Sequence, residues 1–350
     1  MTRPTAAVVV CAYTMERWDD LCAALRSAAR QDPAPQELWL VIDHNDDLLA
    51  RARTELTGEL PTLQVVANDR RQGLSGARNS VLERVGGEVV VFLDDDASAE
   101  PGWLAALTAP YADPEVLVVG GVAKPRWPVD AARPVTLPSA GPEGSWSVRG
   151  ELDWVVGCTY AGQPTELAPV RNVMGCNMSF RRSVFAELGG FSEDLGRVGK
   201  VPLGCEETEL CIRASNLFPG ARILMEPLAR VRHHVSTDRL TWSYLRRRCY
   251  AEGVSKAAVA AMVGRNAALA TERGYATRVL PAGVARELGS VGRGRPGRSL
   301  AGAVAIVVGL AATAGGYARG RAGVRKIHPT HPQLRLAAPQ GAPASGRLPV

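Results

Sequence analysis

Paired cysteines are the first thing this chain of 350 residues lacks. Its seven cysteines (Cys11, Cys22, Cys158, Cys176, Cys205, Cys211 and Cys249) have an odd count and no metal-ligand spacing. That excludes a disulfide framework and suits reduced thiols in the cytosol. No apolar signal region precedes the first apolar run, so a cytoplasmic protein is expected. No glycine-rich turn follows that run; Thr14-Met-Glu-Arg-Trp18 stands there instead. This argues against a nucleotide-dependent oxidoreductase and, more weakly, against a nucleotidyltransferase. Acids are nearly missing from the last part of the chain. From Arg278 to Val350 there are 11 Lys or Arg and one acid, Glu287, a charge of +10. The preceding 277 residues carry −4, within a total of +6. A near-neutral body does not suit nucleic acid. A basic tail suits an anionic membrane surface, or is a solvated tail with no partner.

The most informative stretch is Glu88-Val-Val-Val-Phe-Leu-Asp-Asp-Asp96. Five apolar residues without a break fit a strand buried on both faces of a parallel sheet. Three acids then stand at its carboxyl end, where open α/β sheets bind ligands. Alternation along an extended chain points Asp94 and Asp96 one way and Asp95 the other. Two like charges on one side of a strand end suit a hard cation, Mg²⁺ or Mn²⁺, with substrate phosphates. The same acids also suit a solvated turn ahead of a helix beginning near Pro101.

Ala6–Tyr13, Leu38–Ile42, Leu63–Ala67 and Val116–Val119 read as further strands, with short ones at Arg222–Met225 and Arg230–Val235. Helices are expected after Thr14, from Ser75 through Val85, over Pro101–Ala109, Ser183–Leu188, Glu206–Ser215 and Asp238–Val263. The alternation predicts a doubly wound α/β layer. Lys124–Val173 breaks that rhythm and holds Trp127, Trp146 and Trp154. It is expected either to loop over the active face and recognise an acceptor, or to be a surface excursion. Ser299–Ala318 has no charged residue in 20 positions. That is enough to cross a hydrocarbon layer of about 30 Å, to lie on one, or to pack as a buried helix. The Pro- and Ala-rich end from His328 is expected to be disordered. The domain reading is 1–264 for the α/β unit, 265–327 for a helical membrane-associating or packing segment, and 328–350 for a tail.

Cys11-Ala12-Tyr13, Asp43 and Asp94-Asp95-Asp96 end three strands on one sheet edge, with Asn68–Asn79 beside them. That is a pocket for a base, a ribose and a diphosphate. Asp43 could accept from a base N–H, and Arg78 could reach a phosphate or carbonyl oxygen. Glu206-Glu207-Thr208-Glu209 opens a helix, where the dipole favours acids. Glu207 is a candidate general base if it faces the pocket. His233 and His234 end a later strand, where a neutral imidazole could complete a metal shell.

Taken together the chain resembles the family 2 glycosyltransferases, from about Ala6 to Lys256. The resembling stretches are Val8-Val-Val-Cys-Ala-Tyr13, Val41-Ile-Asp43, Gly73-Leu-Ser-Gly-Ala-Arg-Asn79, Phe92-Leu-Asp-Asp-Asp96, Gly175-Cys-Asn-Met-Ser-Phe-Arg-Arg182, Gly189-Gly-Phe191 and Glu206-Glu-Thr-Glu-Leu210. The resemblance implies a GT-A fold: a Rossmann-like, mixed but mainly parallel sheet with helices on both faces, plus C-terminal helices. It implies inverting transfer from a nucleotide-diphospho-sugar donor with Mn²⁺ or Mg²⁺.

By that resemblance Ala12, Tyr13, Asp43, Arg78, Asp94 and Asp95 would bind the donor. Asp94, Asp96 and His233 would hold the metal, Glu207 would be the base, and Glu206 would orient it or the acceptor. Asn177 and Trp154 are the acceptor-side candidates. Two departures matter. The acidic pair is Glu-Glu, so Glu206 and Glu207 could exchange roles. The Gln-x-x-Arg-Trp element of processive enzymes is absent, with Tyr244-Leu-Arg-Arg-Arg-Cys-Tyr250 in its region, so transfer of a single hexosyl residue is expected. The expected acceptor is a hydroxyl, with a polyprenyl-phosphate-linked glycan leading, at the inner face of the cell membrane. A secreted polysaccharide or natural product is the other acceptor class. A non-catalytic, membrane-tethered sugar-nucleotide binder is the rival of a different kind.

Overall fold

The computed structural model describes residues 3–141, 145–197, 203–292 and 296–324. The body is one mixed sheet. Its strands are β1 (Ala6–Ala12), β2 (Glu37–Ile42), β3 (Leu63–Ala67), β4 (Val89–Asp94), β5 (Ala97–Ala99), β6 (Val116–Arg126), β7 (Ala168–Pro169), β8 (Asn177–Arg181) and β9 (Arg222–His234). They lie in the order β3-β2-β1-β4-β8-β6-β9-β5, with β7 pairing β9 off that path. The β3-β2-β1-β4 half is parallel. β8 runs antiparallel to both of its neighbours, β4 and β6.

The alternating pleat feeds two cores. Val8, Val10, Val89, Val91 and Leu93 face one core, with helices α1 (Trp18–Ala29), α2 (Asp46–Glu59) and α4 (Trp103–Thr108). Val9, Val90 and Phe92 face the other, with α3 (Leu74–Asn79), α5 (Arg182–Leu188) and α6 (Glu206–Leu217). Apolar residues on both pleat faces are what let helices cover both sides.

Several elements depart from the sequence reading. α2 carries only Leu48, Ala52 and Leu56 inward, a thin stripe among charges, and so gives little periodic signal. Its start is nonetheless fixed, because the Asn45 side chain accepts from Leu48 N at 3.0 Å. α3 stops at Asn79, and turns continue through Arg84. The two short strands expected near 222 and 230 are one strand, because both halves pair in parallel with β6 and a register shift absorbs the residues between them. The helix expected from Asp238 is a 3₁₀ turn (Thr237–Leu240) followed by α7 (Trp242–Val263).

Lys124–Val173 has little regular structure but is anchored. Arg133 and Asp153 form a buried ion pair at 2.6 Å, and Asp153 also accepts from Gly150 N. Beyond α7 come α8 (Arg265–Ala268), α9 (Ala270–Gly274), a π-helical stretch (Tyr275–Val279), α10 (Leu280–Gly289) and α11 (Pro296–Val324). Leu137, Leu152, Val156, Cys249, Leu280, Ala305 and Ile306 share a third core, which joins these helices to the loop segment. The tail from His328 lies outside the described residues.

α11 runs alongside α7 at glycine contacts. A Cβ on Gly316 would lie 2.0 Å from Tyr250 O, and one on Gly253 2.0 Å from Thr313 O. Gly316→Leu is therefore expected to destabilise the protein by about 1–3 kcal/mol through overpacking. A lowered melting temperature checks it, and an unchanged one would contradict this close approach.

Candidate active site

The carboxyl ends of β1, β2 and β4 open into a cavity of about 330 Å³, closed on the far side by α6, α7 and α11. Ala12, Tyr13, Asp43, Arg78, Asp94, Asp95, Asp96, Trp154, Glu206, Glu207 and His233 all line it. Asn177 does not. Its side chain is fully buried within the sheet, accepting from Trp103 Nε1 and donating to the carbonyls of Val122 and Ala229. It holds strands together, and the expectation that it meets an acceptor is corrected on that ground.

Alternation does not carry past Asp94: the strand ends there, a turn carries Asp95 and Asp96, and all three acids line the cavity, with Asp95 and Asp96 sharing Arg17 Nη1. Asp94, Asp96 and His233 each bring one ligand atom within 4.8 Å of the others. His233 reaches this place through the sheet: it pairs with Ala97 across β5 and β9, and His234 N donates to Asp96 O at 2.7 Å. His233 Nε2 lies 3.1 Å from Asp96 Oδ1. Gly157, with φ +78°, lies against the imidazole where a Cβ would crowd it. His233 Nδ1 and Asp95 Oδ2 are buried without hydrogen-bond partners. Two hard carboxylates and an imidazole, beside orphaned polar atoms, fit a divalent cation such as Mn²⁺.

Two guanidiniums with no motif of their own in the sequence also enter here. Arg17 Nη1 stands 2.6 Å from Asp95 and 2.9 Å from Asp96, and Arg239 Nη2 stands 3.4 Å from Asp96. Burial works to raise the Asp96 pKa, but His233, Arg17 and Arg239 outweigh it and hold the carboxyl well below the usual range. For Asp95, burial wins over the pull of Arg17 and pushes its pKa up to about 8. Arg17 lies over the Tyr13 ring, 5.1 Å from its centroid. Its only sequence signal is a cation one turn past the first strand.

Asp43 is already engaged. Its carboxylate accepts from Asn68 Nδ2 at 2.7 Å and from Gly73 N at 3.0 Å, which fixes the loop ahead of α3. Arg78 is buried at the centre of the site. It donates to Glu206 at 2.7 Å, to Gly175 O at 3.0 Å and to Asp94 at 3.4 Å, and it rests on the rings of Phe92 and Phe191. It ties the two acidic groups together. Removing one partner of a buried ion pair leaves an uncompensated charge, so Arg78→Met is expected to destabilise by about 3–5 kcal/mol. The midpoint of denaturant unfolding measures this. An unshifted midpoint would mean that the bridge does not hold the site together.

Glu206 and Glu207 follow Cys205, whose φ of +73° turns the chain sharply into α6. Glu206 is committed to Arg78. Glu207 has no cationic partner at hydrogen-bond range among the described residues; its Oε1 accepts from Thr208 Oγ1. Burial, then the neighbouring Glu206 charge, push the Glu207 pKa up to about 7. Two adjacent carboxyls thus have separate environments, one clamped and one poised. Trp154 forms part of the opposite wall. It donates to Tyr275 Oη at 3.0 Å and lies under the Arg248 guanidinium.

Comparisons with known proteins identify the family and the fold. The model of the family described as "Glycosyl transferase family 2" matches residues 7–189. A glucosyl-dolichyl phosphate glucuronosyltransferase of Haloferax volcanii is 34% identical over 251 residues, covering 71% of this chain and 75% of that one. Polypeptide N-acetylgalactosaminyltransferase 15 of Mus musculus is 31% identical over 182 residues, 48% of this chain and 27% of that protein. A mannosyltransferase of Pyrobaculum calidifontis, solved with GDP-Man and Mn²⁺, superposes with a TM-score of 0.52 at 19% identity. It covers 89% of this chain and 88% of its own, and shows the shared fold.

Proposed function

Because the chain belongs to glycosyl transferase family 2, we propose that it transfers one sugar residue, with inversion, from a nucleoside-diphosphate donor to a hydroxyl of a lipid-phosphate-linked glycan. The observation that carries the reading is the pairing, across one cavity, of the Asp94/Asp96/His233 cluster with the poised carboxyl of Glu207. Support for the acceptor class comes from the Haloferax volcanii relative, whose name specifies a glucosyl-dolichyl phosphate. The donor sugar is a hexose or its uronic acid, as that relative's name also suggests.

Asp94, Asp96 and His233 would hold Mn²⁺ or Mg²⁺. When bound, such an ion neutralises charge developing on a leaving diphosphate. Tyr13, backed by Arg17, would face the base, and Arg17 and Arg239 would reach the diphosphate oxygens. Asp43 keeps the nucleotide loop in place. The Glu207 carboxylate takes the acceptor hydroxyl proton as that oxygen bonds to the anomeric carbon. The bond from that carbon to the diphosphate oxygen breaks on the opposite face, which inverts the centre. Glu206, fixed by Arg78, positions Glu207 and the acceptor.

The test is a donor panel of UDP-glucose, UDP-glucuronate, UDP-N-acetylglucosamine and GDP-mannose with Mn²⁺ and a short-chain polyprenyl phosphate carrying one sugar. The expected result is addition of a single residue of inverted configuration from one donor. Donor binding with no turnover on any acceptor would instead assign the chain as a sugar-nucleotide binder.

A further inference from the structure

Among the described residues one helix, Pro296–Gly323, is long and apolar enough to cross a membrane. A spanning helix needs its whole circumference free for lipid or for other apolar helices. α11 does not have that freedom. Ala305 and Ile306 belong to the core shared with Leu152 and Val156, and Gly309 packs on Cys249. Gly316 and Gly320 sit against Tyr250, Val254 and Ala257 of α7. α7 cannot follow α11 into hydrocarbon, because it carries Arg246, Arg247, Arg248, Glu252 and Lys256.

The opposite side of α11 is also apolar, and it is open. Leu300, Val304, Val307 and Leu310 follow one helical stripe and are each between 41% and 55% exposed. Tyr250, whose carbonyl meets Gly316, adds a half-exposed ring from α7. The surroundings are cationic. Arg319 and Arg321 are exposed at the far end of α11, Arg246 and Arg247 stand exposed one turn before Tyr250, and the chain has no acid after Glu287. An apolar stripe edged by arginines is the chemistry of an anionic bilayer surface.

We propose that α11 stays docked on α7 and lies flat on an anionic lipid surface through Leu300, Val304, Val307 and Leu310. This face also reaches the catalytic cavity. Leu310 lines that cavity with Gly309 and Thr313, near Trp154, Tyr275 and Leu280. One residue therefore belongs both to the membrane-facing stripe and to the wall of the site. An acceptor with a lipid tail would enter beside Leu310 without leaving the bilayer; this second part rests on the acceptor reading above.

Full-length protein is floated with phosphatidylcholine vesicles, with and without phosphatidylglycerol. The expected result is binding that requires the anionic lipid and is roughly tenfold weaker in V304E/V307E, with an unchanged melting temperature. On sealed vesicles, G297C and A322C variants should both react with an impermeant maleimide added outside, because both ends of α11 lie on one side. Labelling at only one end would mean that the helix spans, and would overturn the proposal. So would full vesicle binding by V304E/V307E. A lipid-free dimer that V304E/V307E dissociates, with no vesicle binding, would assign the face to a second copy. Vesicle docking without transfer to a lipid-linked acceptor would spare the docking face and refute the acceptor. Equal transfer by wild type and V304E/V307E would do the reverse.

Discussion

Glu207→Gln is expected to lower kcat by about 10²- to 10⁴-fold, the range that general bases contribute. Glutamine keeps the shape and cannot take the acceptor proton. The fold should not suffer, because the substitution removes a buried carboxyl whose charged form is disfavoured by burial and by Glu206. The pH profile provides a second reading of the same residue. The carboxylate is the active form, so kcat/KM of the wild type should rise with pH and level off above an inflection near 7. Stability moves the other way. The folded carboxyl keeps its proton up to about 7, whereas the unfolded one loses it near 4.5. The folded state thus binds more protons between those values, and Glu207's contribution to stability falls as pH rises through that window, then stays flat. Turnover within about twofold of wild type for the glutamine variant, where a base is worth at least a hundredfold, would remove Glu207 from the mechanism. Its role would then pass to Glu206.

Asp96→Asn carries the second large effect. Asp96 is ionised at any working pH, because His233, Arg17 and Arg239 hold its pKa low. An amide there keeps the volume and loses the charge. We expect Mn²⁺-supported turnover to drop about 10²- to 10³-fold, as when one stabilising group for a developing anion is removed. Mn²⁺ binding, followed by electron paramagnetic resonance in the absence of donor, should weaken in parallel. The melting temperature controls for the loss of the Arg17 and Arg239 contacts. Unaltered Mn²⁺ binding with normal turnover would place the cation elsewhere.

The parts of this molecule legible in the sequence are those encoded within a few residues. Val89–Leu93 reads as a doubly buried strand because both pleat faces are apolar, and it packs into both cores. The acids after it mark the ligand edge because strand direction fixes which end faces the site. α2 was silent, since a three-residue stripe in a charged helix gives almost no periodicity. β9 read as two strands because its pairing with β6, not its own composition, carries it across Glu226–Ala229. The expectation for Asn177 failed for a related reason. A polar residue in a strand looks available until Trp103, Val122 and Ala229 are seen to consume its amide.

The order of residue types sets the chemistry on offer: acids at a strand end, a glutamate pair opening a helix, and an uncharged helix in a basic tail. How these groups are used follows from long-range packing. Arg78 meets Glu206 across 128 positions of chain, while among the described residues no cation comes within hydrogen-bond range of Glu207. Arg17 reaches Asp95 and Asp96, and α11 gives one face to α7 and leaves the other open. Each depends on which distant groups share a low-dielectric neighbourhood. Local pattern sets the backbone's path, but pairing, desolvation and exposure are properties of the packed whole.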